Sequence, residues 1–167
     1  MKAIFYSLIL FGCLGCRAEK EWTLTSPDGA VRFVATQVPE GEETTILQYS
    51  VYCGDSLVIN PSRLGLVMDG IEYGKDARPA GKAVVKTMNE PYELKAGKQL
   101  RTVNACREMT IPFEGFQLIV RAYDDGIAFR YAFTQEDDGK QHTITDELTE
   151  FSVPANGKAW IHPYDWN

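Results

Sequence analysis

Two arginines, Arg121 and Arg130, are the charged residues of this chain whose spacing best fits a binding site. They flank Asp124-Asp125-Gly126, a run typical of a tight hairpin turn because Asp and Gly tolerate the backbone angles that such turns need. With Asp125-Gly126 as a two-residue loop, Arg121 lies directly opposite Arg130 on one face of the hairpin. Like charges in that position repel, so we expect an anionic group to lie over them.

The opposite face of the same hairpin is apolar. In this register Phe129 lies opposite Ala122, and Tyr131 lies opposite Val120. Because side chains alternate between the two faces of a strand, one face collects the large apolar residues that a sandwich core needs. These residues are Phe116, Leu118, Val120, Phe129, Tyr131 and Phe133.

Glu147 and Glu150 are the carboxylates that we nominate to neutralise the two arginines. A structural cluster of ion pairs is the first interpretation. The second is a surface that binds carbohydrate or docks another domain, to which Trp160 and Trp166 would add aromatic rings. These tryptophans lie in an apolar segment, residues 159–167, that needs a partner surface. The candidate face therefore comprises Arg121, Arg130, Glu147, Glu150, Trp160 and Trp166.

The remaining residues give no sign of catalytic chemistry. His142 and His162 belong to no set of serine, histidine and acid, and no nucleophile elbow occurs. The sequence has neither a phosphate-binding glycine loop nor a histidine-rich metal motif. Carboxylates are numerous enough for a glycosidase pair, but Asp124 and Asp125 are assigned to the hairpin turn. We therefore predict that the chain by itself is not an enzyme and binds no cofactor.

The first residues have the pattern of a secretory signal. Lys2 precedes an apolar run, residues 3–11, that is too short to span a bilayer as a helix, and small residues follow it. Glycine precedes cysteine at two points, as in the lipobox of bacterial lipoproteins. We favour lipidation of Cys16, with Cys13 as the alternative and an ordinary cleaved signal without lipid as a third possibility.

These features predict the domain organisation and the location of the protein. We expect a lipoprotein signal peptide over residues 1–15, a tether over 16–21 and one sandwich domain over 22–167. The protein would be exported and held by its lipid at the outer membrane, or lie in the periplasm. Export would also permit a disulfide between Cys53 and Cys106, and two buried thiols are the alternative.

The charge of the chain excludes two classes of partner. The formal net charge is −6, whereas nucleic-acid binding depends on Lys and Arg that neutralise phosphates. A membrane-surface helix would likewise need a basic face. We therefore expect no nucleic-acid partner, and membrane contact through the lipid anchor alone.

From Trp22 onward the pattern is that of β-strands. Residues 46–53 alternate, with Leu47, Tyr49 and Val51 on one face, and turn signals recur between short apolar runs. Strands at this spacing predict an all-β fold, an antiparallel β-sandwich. The sequence has no amphipathic helix of useful length and no internal repeat.

Five blocks of the sequence resemble, in order, the amino-terminal domain of glycoside hydrolase family 97. This is a bacterial family of α-glucosidases and α-galactosidases that is often found in Bacteroidetes. The blocks are Trp22-x-Leu24-x-Ser26-Pro27-Asp28-Gly29, Leu57-Val-Ile-x-x-Ser62-x-Leu-Gly-Leu66, Arg121-Ala-Tyr-Asp-Asp-Gly-x-Ala-Phe-Arg-Tyr131, Glu147-x-x-Glu-Phe151 and Ala159-Trp160.

The resemblance implies a sandwich of the galactose-mutarotase-like type that packs against a catalytic (β/α)8 barrel. In family members the barrel carries the catalytic carboxylates, and calcium assists at the active site. The calcium-liganding Glu of the amino-terminal domain would fall just after Asn167, so no metal ligand transfers to this chain, and calcium is expected only in the full-length enzyme.

The resemblance also predicts an incomplete sandwich whose unpaired sheet edges favour self-association. The role it implies is non-catalytic: to support the barrel and help form the site for an α-linked oligosaccharide. The alternative is a stand-alone carbohydrate-binding lipoprotein of the cell surface.

Overall fold

The computed structural model describes residues 20–93, 101–133 and 139–156. Within these ranges the chain forms β-strands and turns, and no helix long and apolar enough to cross a membrane occurs there. The strands are β1 (Lys20–Thr25), β2 (Val31–Glu40), β3 (Thr44–Cys53), β4 (Ser56–Leu64), β5 (Leu66–Met68), β6 (Ile71–Tyr73), β7 (Val84–Glu93), β8 (Arg101–Phe113), β9 (Phe116–Tyr123), β10 (Gly126–Phe133) and β11 (Ile144–Glu147).

The strands form two four-stranded sheets and one small sheet. The first sheet has the order β1-β2-β3-β4, the second sheet has the order β10-β9-β8-β7, and the small sheet has the order β11-β5-β6. All neighbouring strands are antiparallel. The all-β antiparallel sandwich predicted from the sequence is confirmed.

The core lies between the first and second sheets. Burial alternates along β9, where Phe116, Leu118 and Val120 are buried and their neighbours are half-buried. From the first sheet, the rings of Phe33 and Tyr49 stack with their centroids 5.6 Å apart. Full burial of side chains of this size stabilises a fold by roughly 1.5–3 kcal/mol each.

Residues 148–152 extend the first sheet beyond β4. The amide of Leu148 donates to the carbonyl of Gly65 at 2.9 Å, and the amide of Asn60 donates to the carbonyl of Ser152 at 2.8 Å. The segment follows β11 directly, and its Phe151 contacts Phe129 of β10 in the second sheet. The geometry of this edge determines where Glu147 and Glu150 lie.

The predicted register of the β9–β10 hairpin is wrong by two residues. Gly126 pairs with Tyr123, so the loop is Asp124-Asp125, and none of the three turn residues has the positive φ that the prediction assumed. Asp124 instead accepts a hydrogen bond from the amide of Asp28 at 3.0 Å, which ties the turn to the first sheet.

The core face of the hairpin is nevertheless predicted correctly. A shift of two residues leaves every side chain on the same face, whereas a shift of one would reverse them all. Phe129 lies opposite Val120, and Tyr131 lies opposite Leu118, on the side that faces the core. The prediction for the arginines fails, because Arg121 lies opposite Ala128 and not opposite Arg130.

The two cysteines within the described residues are free thiols. Cys53 is exposed at the end of β3, and Cys106 is buried in β8 of the other sheet. Of the two alternatives left open by the sequence, the disulfide is therefore not formed, and only one of the two thiols is buried.

Candidate functional site

The anion that neutralises Arg121 comes from within its own sheet. Register pairs Lys86 of β7 with Glu108 of β8, and Glu108 with Arg121 of β9. The carboxylate of Glu108 accepts from Nε of Arg121 at 2.6 Å and from Nζ of Lys86 at 2.9 Å. The prediction that Glu147 and Glu150 neutralise the arginines is therefore wrong for Arg121.

Glu108 was missed by the sequence analysis, although it is the most deeply buried acid among the described residues, at 4% exposure. Burial by itself would raise the pKa of the Glu108 carboxyl, but the hydrogen bonds from Lys86 and Arg121 outweigh it and hold that pKa below its ordinary value. The hydrogen bond to Glu108 likewise raises the pKa of Arg121. The three side chains form a ladder of charges across three strands.

Arg130 lies on the same outer face but belongs to no such ladder. It is exposed on β10, and within the described part of the chain it makes no ion pair. It lies beside a shallow groove of about 250 Å³ that Ile119, Tyr123 and Ala128 also line. Among the described residues, Arg130 is therefore a cation of this face that no acid neutralises.

A second depression, the edge cleft, opens between β10 and the segment from β11 to Phe151. Its volume is about 470 Å³. Leu66 of β5, Arg130 of β10 and Glu147 of β11 are among the residues that line it. The full lining is Leu66, Phe129, Arg130, Tyr131, Phe133, Ile144, Glu147, Thr149 and Phe151.

Aromatic rings dominate the edge cleft. The rings of Phe129 and Phe151 are stacked with centroids 6.2 Å apart and planes at 19°. The ring of Phe129 also makes an edge contact with Tyr49 of the first sheet, with centroids 5.2 Å apart and planes at 62°, which holds Phe129 against the core. Phe151 is 67% exposed, so an apolar surface of considerable size faces solvent here.

Polar groups in the cleft are held in place by one another. The hydroxyl groups of Tyr131 and Thr149 are 2.8 Å apart, and the amide of Thr149 donates to Glu147 Oε1 at 3.1 Å. Burial raises the pKa of Tyr131 to about 12, so its hydroxyl stays protonated at physiological pH. Flat rings beside a guanidinium and a carboxylate can stack on the apolar face of a sugar and hydrogen-bond its hydroxyls.

Glu150 has a structural role and does not face the cleft. Its Oε2 accepts from the backbone amide of Arg63 at 3.2 Å, and its carbonyl accepts from the hydroxyl of Tyr49 at 2.8 Å. These bonds hold the segment that carries Thr149 and Phe151 against the first sheet. Of the predicted face, the structure thus brings Arg121 and Arg130 together at the shallow groove, and Arg130 and Glu147 together at the edge cleft.

Other predicted site residues lie outside the described ranges. They are Trp160 and Trp166 of the candidate face and the lipidation candidates Cys16 and Cys13. Their assignments stay predictions.

His142, for which the sequence indicated no partner, is paired. Its Nδ1 lies 2.6 Å from Oδ2 of Asp69, whose Oδ1 accepts from the amide of Thr143 at 2.9 Å. These hydrogen bonds join the β5–β6 turn to the start of β11. They lower the pKa of Asp69, chiefly through the bond from Thr143.

The acidic residues in the described part of the chain do not fit a calcium site. No three side chains of His, Cys, Asp or Glu lie close enough together there to hold a metal ion. Calcium binding by the full-length enzyme stays a prediction.

Comparison with protein families assigns residues 24–167 to a family described as the N-terminal domain of glycosyl-hydrolase 97. The resemblance inferred from the five sequence blocks is thereby confirmed. The matched range includes the edge cleft and the charge ladder of Glu108.

Two curated relatives are α-galactosidases by name. The chain is 28% identical, over 170 residues, to a retaining α-galactosidase of Bacteroides thetaiotaomicron, and this match covers 98% of the chain and 24% of the relative. It is 26% identical, over 151 residues, to a probable retaining α-galactosidase of Streptomyces bingchenggensis, covering 87% of the chain and 23% of the relative. The chain therefore spans about a quarter of the length of these relatives.

Solved structures show the same fold. A glycoside hydrolase family 97 enzyme from Pseudoalteromonas sp. strain K8, in complex with acarbose, matches with a TM-score of 0.67 and 25% identity. The match covers 80% of the chain and 20% of that enzyme. A β-arabinopyranosidase matches with the same TM-score at 22% identity, which supports the fold alone.

Proposed function

We propose a non-catalytic role in carbohydrate breakdown, on the premise that the chain belongs to the family of glycosyl-hydrolase 97 N-terminal domains. It contains this domain and does not contain the catalytic barrel. In our proposal the sandwich braces the (β/α)8 barrel of an exported glycoside hydrolase. It also contributes a surface that contacts an α-linked oligosaccharide.

The observation that carries the carbohydrate part of this proposal is the composition of the edge cleft. Two stacked rings, Phe129 and Phe151, line the cleft together with the guanidinium of Arg130 and the carboxylate of Glu147. Sugars present an apolar face and a rim of hydroxyls, which such a surface complements. The names of the curated relatives as α-galactosidases support an α-linked ligand.

We expect the isolated chain to bind α-linked oligosaccharides weakly, with a dissociation constant in the millimolar range. Isothermal titration calorimetry with maltotriose and with melibiose measures it. Phe151→Ser removes a stacking ring from an exposed position, and a ring contact is worth about 0.5–1.5 kcal/mol. The variant should therefore bind about two- to tenfold more weakly.

The matched control is Val153→Ser, which changes an exposed apolar residue two positions away that does not line the cleft. This variant should bind as the unaltered chain does. Absence of saturable heat at millimolar sugar would contradict carbohydrate binding at the cleft, as would an equal loss in both variants.

Export and lipid anchoring belong to the same proposal and rest on the sequence around Cys16. In a Gram-negative host fed an alkyne-tagged fatty acid, the chain should become labelled and fractionate with membranes. Cys16→Ser should abolish the label, whereas Cys13→Ser should retain it. If only Cys13→Ser lost the label, the lipid would be assigned to Cys13. An unlabelled parent chain would exclude the anchor.

A further inference from the structure

The shallow groove on the outer face of the β9–β10 hairpin, which we call the arginine groove, has the chemistry of a second binding site. We propose that it binds a small acidic sugar, a hexuronate, whose carboxylate pairs with Arg121 and Arg130. This ligand and this site differ from the α-linked oligosaccharide and the edge cleft of the proposed function. The residues that line the groove are Ile119, Arg121, Tyr123, Ala128, Phe129 and Arg130.

The register of the hairpin builds the groove around a small residue. Arg121 lies opposite Ala128, and Ile119 lies opposite Arg130. Residues that lie opposite one another project on the same face, and diagonal neighbours on that face are about 7–8 Å apart. Arg121 and Arg130 are diagonal neighbours of this kind. Because Ala128 is exposed and contributes only a methyl group, it leaves a depression into which both guanidinium groups can reach.

The charges around the groove favour an anionic ligand. Glu108 shares its carboxylate between Lys86 and Arg121, so this ladder already has one more cation than acid, and Arg130 adds another cation beside it. The bond from Arg121 to Glu108 uses Nε, whereas four of the five N–H donors of a guanidinium are on its two Nη atoms. Although the net charge of the whole chain is −6, this face is locally positive.

The shape and the lining of the groove narrow the class of anion. A guanidinium pairs with a planar carboxylate through two parallel hydrogen bonds. Ile119 and the ring of Tyr123, which is held by a 3.1 Å hydrogen bond from its hydroxyl to Asn104 Oδ1, supply an apolar wall. Inorganic phosphate has no apolar surface to contact that wall, and a neutral sugar has no charge for the arginines.

A hexuronate satisfies both requirements, because it carries a carboxylate on a sugar ring that has an apolar face. The groove has a volume of about 250 Å³, which is below the range of about 300–1,000 Å³ that is usual for drug-sized ligands. Its size therefore suits a single sugar unit.

Heteronuclear NMR titration of the chain with sodium galacturonate tests the proposal. We expect saturable shifts at the groove, including those of the Nε–H groups of Arg121 and Arg130, with a dissociation constant in the millimolar range. At equal ionic strength, galactose lacks the carboxylate and should bind about tenfold more weakly. Inorganic phosphate lacks the ring and should bind about two- to tenfold more weakly.

Two substitutions in the groove have matched controls outside it. Arg130→Gln removes an exposed cation and should raise the dissociation constant for galacturonate about tenfold. Arg101→Gln makes the same change of charge at an exposed residue of β8 that does not line the groove and should bind as the parent does. Ala128→Leu fills the depression without a change of charge and should prevent saturable binding at millimolar galacturonate. Ala105→Leu, at an exposed site on β8, should not.

The outcomes separate this site from the edge cleft, because Ala128 lines the groove and Phe151 lines the cleft. Absence of a saturable shift with millimolar galacturonate would overturn the proposal. So would galactose or phosphate that binds as tightly as galacturonate, or groove variants that bind it as the parent does while their spectra show a folded protein. Loss of melibiose binding with galacturonate binding intact would instead count against the edge cleft alone.

Discussion

Replacing Gly74 with alanine is expected to lower the free energy of unfolding by about 4 kcal/mol. Gly74 has a φ of +100°, a backbone angle that residues with a side chain rarely adopt. A Cβ atom there would lie 2.2 Å from the carbonyl oxygen of Leu64. The strained backbone costs about 1–3 kcal/mol, and the collision with backbone that cannot move aside adds about 1–3 kcal/mol. Urea denaturation followed by fluorescence measures the loss.

The matched control for this substitution is Gly54→Ala. Gly54 also has a positive φ, +56°, but a Cβ there meets nothing within 4 Å. The Gly54→Ala variant should lose only about 1 kcal/mol of unfolding free energy, because it carries the cost of the backbone angle alone. An equal loss in the two variants would show that the approach of Gly74 to Leu64 relaxes without cost.

The effect of Gly74 should reach the edge cleft. The carbonyl of Gly74 accepts from the amide of Leu47 at 2.8 Å, which joins the end of β6 to the first sheet. This hydrogen bond helps to attach the small sheet to the first sheet. The small sheet in turn contributes two residues to the cleft, Leu66 from β5 and Glu147 from β11. A protein weakened at Gly74 should therefore lose the cleft before it loses the core between the large sheets.

The fold class could be predicted because its signals are local. Alternation along β9 places Leu118 and Val120 on one face whatever their partners are, and burial confirms this. The exact pairing could not be predicted in the same way. The sequence Asp124-Asp125-Gly126 favours a turn with positive φ, but the structure uses Asp124 to contact Asp28 of another sheet.

The candidate site was less predictable, because its residues meet only through tertiary structure. Glu108 lies in a run of strand residues and looks like an ordinary solvent-facing acid until Lys86 and Arg121 flank it across two strand pairs. Phe151 likewise lies outside any assigned strand, and only the hydrogen bonds of residues 148–152 bring it to Phe129. The sequence placed Arg130 and Glu147 on one face, and both do line the edge cleft. The sequence also predicted that Glu147 would neutralise the arginines, and no ion pair between Glu147 and Arg130 is formed.

The charge ladder explains why Arg121 and Arg130 differ in what they can do. Arg121 donates through Nε to Glu108 at 2.6 Å, so its charge is neutralised by an acid of its own sheet. Arg130 lies diagonally across the hairpin, opposite Ile119, and no acid within residues 20–93, 101–133 and 139–156 forms an ion pair with it. Among the described residues, the face that looked like a symmetrical pair in the sequence therefore has one arginine with an acid partner and one without, and the proposed carbohydrate surface uses the second.

Glu108→Gln is expected to destabilise the protein by about 2 kcal/mol at neutral pH, because hydrogen bonds to charged groups contribute about 1.5–3 kcal/mol. The loss should fall short of that for a fully buried pair, since the Arg121 side chain is 35% exposed and can regain water. Glu93→Gln is the control. It breaks an exposed pair with Arg101 in the β7–β8 hairpin and should cost no more than about 1 kcal/mol.

The pH dependence of stability distinguishes the charge of Glu108 from its shape. Because folding lowers the pKa of this carboxyl, its contribution is fully present above the ordinary value of 4.5 and is lost as the pH falls through the lower, folded value. Unfolding free energies from pH 7 to pH 3 should therefore fall more steeply for the parent than for Glu108→Gln, and the two curves should converge in acid. Parallel curves would mean that the charge of Glu108 contributes nothing to stability and that the ladder acts through packing alone.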